Sequence, residues 1–308
     1  MSFFKNLLRW FLFAPFRLIA PLLPAQVLYC IGSAGGGLYY RMSGRVMKKM
    51  EAGFRAIMPA EELYDVNQVM VRTCRNYIQS ELEVFLYGRM NRANIDRFVS
   101  IEGVEHIDQA LAGGKGVILL HAHFGNAHML MPGLGHRGYK VNQVGLLPSD
   151  SAAMLEDVLY RPPDRLVMSW FKLKEECEKK LPVKFIYLGR GMRPAIECLK
   201  RNELLAISID GVDGEMISVP FLRGKALFMT GPARLSVATG AAIIPIFTVR
   251  KTSGRHRLVI EPPLKDDCSP EDRVSAFASL LESYMKRFPC HYARLLGYDT
   301  PPFSPGRS

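Results

Sequence analysis

Residues 121–128 read His-Ala-His-Phe-Gly-Asn-Ala-His, three imidazoles directly after the apolar run 116–120. Such a cluster can do two kinds of chemistry. Three imidazoles can hold zinc and leave an open position, but no Asp, Glu or Cys stands nearby in sequence to support such ligands, as metal-bound histidines usually require. Alternatively, one imidazole serves as a general base. That role needs a ring at the rim of a strand, beside free backbone N–H groups. His123 has that position: it follows a strand and precedes Gly125, and a helix start is expected near Asn126. His121 points the same way from the strand two residues earlier and reads as a residue that fills the sheet.

The elements that must hold these side chains follow from the pattern of apolar residues. Residues 42–96 read as helical, with 61–86 the clearest amphipathic stretch. From residue 99 the texture alternates. Strands are expected at 117–122, 139–147, 184–189, 204–210, 241–250 and 256–264, and helices at 192–202, 231–240 and 270–287. Alternation of this kind predicts an α/β fold, a mixed, mostly parallel sheet flanked by helices. Sites in such sheets lie beyond the carboxyl ends of the strands, where His123 and Asp210 both fall.

Composition narrows the class. The chain has 308 residues, 48% of them apolar, with a formal net charge of +11. Within residues 1–58, eight Lys and Arg face the single acid Glu51. These cations flank apolar stretches, which points to anionic lipid rather than to nucleic acid. Positions 18–40 carry no charge, long enough for a span, but Pro21, Pro24 and Gly35–Gly37 interrupt them. Two arrangements fit: one anchoring helix, or short helices lying in the interface with Trp10, Tyr39 and Tyr40 at headgroup level. No signal-peptide cleavage pattern follows, and the flanking cations predict that the bulk of the chain stays cytoplasmic. The six cysteines are dispersed without a C-x-x-C pair, as reduced thiols would be. The organisation expected is a membrane segment at 1–41, one domain at 42–300 and a frayed tail at 301–308.

The block "ILLHAHFGNAHML" resembles the H-F-G-N-W-E block of the bacterial lipid A biosynthesis acyltransferases, with their H-x-x-x-x-D/E motif. Residues 204–264 are similar to the second half of that family, from a strand ending in Asp through V-P-F to T-G-A, I-P and a strand ending in Arg. "GRGMRPAIECLKRN" resembles its Arg block. The likeness runs over roughly 15–300. It implies a glycerolipid-acyltransferase-like fold and transfer of an acyl group from acyl carrier protein or coenzyme A to a hydroxyl on a membrane lipid, at the inner membrane with the catalytic domain facing the cytoplasm. Neither cofactor nor metal is implied, since a thiolate leaves readily. His123 would be the base. Backbone N–H groups near Gly125 and Asn126 would stabilise the oxyanion.

Two departures stand out. His128 occupies the place of the motif's acid. It can orient His123 by accepting a hydrogen bond but supplies no negative charge, so Asp150, Asp210, Glu81 or Glu83 are alternatives for that part. The family's aromatic and basic ending is reduced to Phe288, His291, Tyr292 and Arg294, which leaves the acceptor open. Arg190, Arg193 and Arg250, at or after strand ends, would clamp phosphate on the lipid or on the donor's phosphopantetheine arm, or else form ordinary surface pairs. Asp210 and Asp213 flank Gly211, as turn residues or as groups orienting Arg193 or the base. A catalytically impaired or aminoacyl-transferring relative, or a membrane-peripheral lipid-binding protein, could use the same fold.

Overall fold

Val117–His121, buried at every position, forms the strand that leads into the histidines. Burial on both faces is what the centre of a parallel sheet requires. In the computed structural model, which describes residues 15–58, 65–146, 165–187, 192–211, 214–251, 254–292 and 303–304, this strand is β2 of a seven-stranded sheet. The others are β1 (Val99–Glu102), β3 (Val141–Gly145), β4 (Lys184–Tyr187), β5 (Leu204–Ser208), β8 (Ala242–Arg250) and β9 (His256–Ile260), in the order β1-β9-β8-β2-β5-β3-β4. All neighbours are parallel except β8 and β9. The expected mixed, mostly parallel sheet is therefore present.

Alternate residues of β2 serve opposite layers. Ile118 and Leu120 pack with α7 (Arg193–Lys200), α8 (Gly231–Thr239) and α9 (Pro270–Arg287), through Cys198, Ala233 and Phe277. Val117 and Leu119 pack on the other side with α4 (Val104–Ala112), α5 (Leu130–Gly135) and α6 (Arg165–Glu178), through Ile107, Leu134 and Cys177. α9 starts on a capping box between Ser269 and Asp272, so its first turn is fixed by sequence.

The helical stretch expected at 42–96 is divided. α2 (Gly44–Ile57) and α3 (Val66–Leu82) are followed by a 3-10 segment, Glu83–Arg89, and then by turns. Residues 216–229, not read as strands from sequence, form a hairpin of β6 (Met216–Phe221) and β7 (Gly224–Met229). Pro220 is tolerated there because β6 is an edge strand. Of the tail 301–308, Phe303 and Ser304 are described, and they pair with β7.

At the N-terminus, helical residues 15–19 and a 3-10 turn (Ala20–Leu22) precede α1 (Ala25–Met42). Among the described residues no helix is long and apolar enough to cross a membrane. α1 instead lies on α3. A Cβ on Gly36 would fall 2.5 Å from Arg75 Cα, and one on Gly32 2.8 Å from Gln79 Cγ, so these small residues let the helices approach closely. Tyr39 and Tyr40 pack against the core and Trp10 lies outside the described residues. The opposite stripe of α1, Val27, Ile31, Leu38 and Met42, stays exposed, and Leu18, Ile19 and Leu22 extend it.

Candidate active site

Two strand ends build the site. β2 and β5 are parallel neighbours with His121 opposite Ser208. Two residues beyond each, the chains present His123 and Asp210, and His123 Nδ1 lies 2.7 Å from Asp210 Oδ1. The main-chain N–H of His123 also donates to this carboxylate, at 3.2 and 3.1 Å. Ser208 Oγ donates to Oδ1 at 2.5 Å and the buried Tyr292 hydroxyl to Oδ2 at 3.1 Å. The Asp210 side chain is fully buried, whereas that of His123 is 48% exposed. An ionised carboxylate only accepts, so the shared proton belongs on Nδ1. The outer nitrogen, Nε2, then keeps its lone pair. The ring's tautomer is thus fixed from behind, as a general base requires.

The turn after His123 is locked by three different means. The Phe124 ring stacks on His291 and meets Phe247 and Tyr284 edge-on in the core. Gly125 has φ +62, and a Cβ there would stand 1.8 Å from the Thr248 carbonyl oxygen, so no other residue fits. Its N–H donates to the His291 carbonyl at 2.6 Å. The oxyanion role expected of this amide is thus corrected: the group is already engaged. Asn126 is buried, and its Nδ2 donates to Glu83 Oε2 at 2.5 Å, so its side chain fixes the turn from within.

Beneath the turn is a buried ionic cluster. Arg250 donates to both oxygens of Glu83, at 2.6 and 2.9 Å, and to Ser80 Oγ at 2.8 Å. His256 Nε2 lies 2.7 Å from Glu83 Oε1. Burial works against the Glu83 charge, but Arg250 and His256 outweigh it and hold the carboxyl at about 2. Arg250 is 5% exposed. The phosphate clamp expected of it is corrected, because its guanidinium is spent on Glu83. The main-chain N–H of Arg250 donates to His291 Nε2 at 3.0 Å, and burial lowers that imidazole to about 4.

Arg193 is on the surface, paired with Glu197 one turn along α7 at 2.8 Å. Arg190, Asp213, Asp150 and Arg294 lie outside the described residues. Glu81 takes Trp170 and Lys174 as partners. The three imidazoles lie near enough to oppose one another's charge, but among the described residues they form no group that could hold a metal ion. His121 is buried with Nε2 3.4 Å from the Gln143 amide, and burial holds it near 4. His128 makes no hydrogen bond to His123, among the described residues. It faces Glu178, Nδ1 to Oε1 3.9 Å. The hydrogen bond to His123 expected of His128 is made instead by Asp210. Sequence reading left Ser208 and Glu178 unremarked; the one available signal for Ser208 was its place at a strand end, two residues before the aspartate.

An imidazole with a carboxylate behind it and a half-exposed outer face is suited to removing a proton from an alcohol. Sequence comparison supplies the class: the protein is an acyltransferase that acts on lipid. It belongs to the family described as bacterial lipid A biosynthesis acyltransferase, whose model matches residues 2–296. It is 24% identical over 252 residues to a lipid A biosynthesis lauroyltransferase of Escherichia coli K12, covering 80% of this chain and 75% of that protein. Over 232 residues it is 25% identical to a phosphatidylinositol mannoside acyltransferase of Mycobacterium tuberculosis, covering 73% and 67% respectively. A solved structure, the 1-acyl-sn-glycerophosphate acyltransferase of Thermotoga maritima, aligns over 89% of this chain and 98% of its own, with TM-score 0.38 and 16% identity. Membership implies an acyl donor and a lipid acceptor.

Proposed function

We propose that the protein transfers a fatty acyl group from an acyl carrier protein or coenzyme A thioester to a hydroxyl of a lipid A precursor or a related glycolipid, with His123 as general base. The observation that carries this reading is the 2.7 Å contact between His123 Nδ1 and Asp210 Oδ1. His123 Nε2 takes the hydroxyl proton as the oxygen attacks the thioester carbonyl. The imidazolium so formed faces the buried carboxylate, which stabilises its charge. Collapse of the tetrahedral intermediate breaks the C–S bond, and the proton passes from Nε2 to the departing thiolate.

The reaction would take place at the cytoplasmic face of the inner membrane. Exposed Leu18, Ile19, Leu22, Val27, Ile31, Leu38 and Met42 offer an apolar stripe, with exposed Arg17 and Arg41 beside it for anionic headgroups. Mass spectrometry of total lipids from cells with and without the protein tests the proposal. A lipid heavier by one acyl group, present only with the protein, is expected. Identical lipid profiles would oppose it.

A further inference from the structure

Two faces of α1 differ in what they meet. Val27 and Ile31 belong to its exposed apolar stripe. Tyr29 is two positions from each, about 200° round the helix, and packs half-buried against the core. The Arg250 guanidinium lies over its ring, 5.9 Å from the centroid. On the loop between β8 and β9, a Cβ on Gly254 would fall 2.4 Å from that ring, so the loop closes on Tyr29 as only a glycine allows. The helix is pinned at this level. Gln79 donates to the Tyr29 carbonyl at 3.0 Å, and Arg89 donates to the Leu23 carbonyl. Burial, and then the charge of Glu83, raise the Tyr29 phenol, as befits a ring set against the ionic cluster.

Resting on the acyl-transfer reading above, we propose that Tyr29 is a positioning residue for His123: the helix that carries the apolar stripe also walls the frame that holds the base. Arg250 reaches residues 123–126 by two routes. Its side chain holds the Glu83 carboxylate, which accepts from Asn126. Its main chain donates to His291, whose carbonyl accepts from Gly125 and whose ring stacks on Phe124. Glu83 and Ser80 grip the guanidinium through hydrogen bonds, and the Tyr29 ring covers it by a cation–π contact. His256 closes the cluster from β9; Tyr29 is what α1 contributes. Without the ring, Arg250 and the loop at Gly254 gain room to relax, and both routes to the turn loosen. A base displaced by about 1 Å can cost about 10²-fold in rate. The loss falls on kcat, because the ring touches the frame and not the substrate.

The test uses the full-length protein in detergent micelles, with radiolabelled acyl-coenzyme A as donor and lipids extracted from membranes as acceptors. Labelling with 15N-histidine gives a second readout that needs no substrate. Tyr29→Leu keeps apolar volume but loses the ring; Tyr29→Phe keeps the ring. Tyr29→Leu should lower kcat at least about tenfold, with KM for the thioester within about twofold of wild type. It should also shift the 15N signals of His123, which are identified by their absence from His123→Ala. Tyr29→Phe should keep kcat within about threefold and keep the wild-type signals. Both variants should bind anionic vesicles as wild type does, because the exposed stripe is untouched. The proposal is overturned by folded Tyr29→Leu with wild-type kcat and His123 signals, by Tyr29→Phe as impaired as Tyr29→Leu, or by a loss of kcat that tracks lost vesicle binding. Full transfer by His123→Ala sinks the base reading itself. An inactive His123→Ala beside Tyr29→Leu unchanged in rate and spectrum sinks the positioning alone.

Discussion

His121 and Ser208 face each other across two parallel strands, and that register brings His123 and Asp210, 87 positions apart, to hydrogen-bond distance. Both residues lie two positions past their partnered neighbours, so the dyad is set by strand pairing rather than by any local motif. Its carboxylate is held by Ser208, Tyr292 and the His123 main chain before the ring is counted. A buried charge satisfied this fully can stay ionised without moving during the reaction.

The assignment of Asp210 predicts an asymmetric mutational pattern. Asp210→Asn should lower kcat by roughly 10²–10⁴-fold, since the wrong tautomer and an uncompensated imidazolium both follow. His128→Glu should give no gain, because His123 Nδ1 already has its acceptor. Steady-state transfer from a labelled acyl thioester checks both. A gain with glutamate at 128 would show that the base needs the motif's acid after all.

Tyr292 is expected to tune the base through Asp210. Tyr292→Phe removes one donor from the carboxylate, leaving more negative charge for His123. The imidazolium is then favoured, so the acidic limb of the kcat/KM profile should move to higher pH. Ser208→Ala should act in the same direction. A profile that keeps its limb while stability falls would mean that these hydroxyls only pack.

Much of this was legible from residue order. The parallel sheet, the position of His123 and the membership all follow from apolar runs and block order. The partner of the base did not. The resemblance to the H-x-x-x-x-D/E motif pointed to His128, five residues on, because local sequence cannot display a contact made by strand register. Asp210 could equally be read as a turn residue until β5 was seen beside β2. Gly125 and Arg250 were assigned to substrate for a similar reason: a glycine needed by packing against Thr248, and an arginine neutralising Glu83, look in sequence like ligand-binding groups. The β6–β7 hairpin escaped because Pro220 argues against a strand unless its edge position is known.

The buried cluster under the turn predicts how stability depends on pH. Glu83 has its carboxyl lowered from 4.5 to about 2, so its contribution is complete above pH 4.5 and lost as pH falls toward 2. His121 and His291 are buried neutral, each lowered from 6.5 to about 4, and their part is lost as pH falls from 6.5 to 4. Glu178, raised from 4.5 to about 7, acts oppositely and weakens the fold as pH rises through that interval. Glu83→Gln, which strips Arg250 of its charge partner, should cost about 3–5 kcal/mol at pH 7 and flatten the loss below pH 4.5. Urea denaturation between pH 2 and 7 measures this; an unchanged midpoint in the variant would contradict it.

The exposed stripe of α1 predicts membrane affinity that depends on individual apolar side chains. Leu22→Asp with Leu38→Asp should reduce binding to vesicles containing anionic lipid by tenfold or more, at about 2 kcal/mol for each lost apolar contact. Both side chains are exposed, 81% and 58%, so the fold should not suffer. Co-sedimentation with vesicles reads the outcome, and unchanged binding would move the contact elsewhere.

The central claim is that the ring at 123 removes the acceptor's proton. Single-turnover transfer of a radiolabelled acyl chain to extracted membrane lipids, by wild type and by His123→Ala at equal folded concentration, tests it most directly. The account predicts labelled lipid with the wild type and a rate at least about 10²-fold lower with the alanine variant. Equal rates for the two would contradict it.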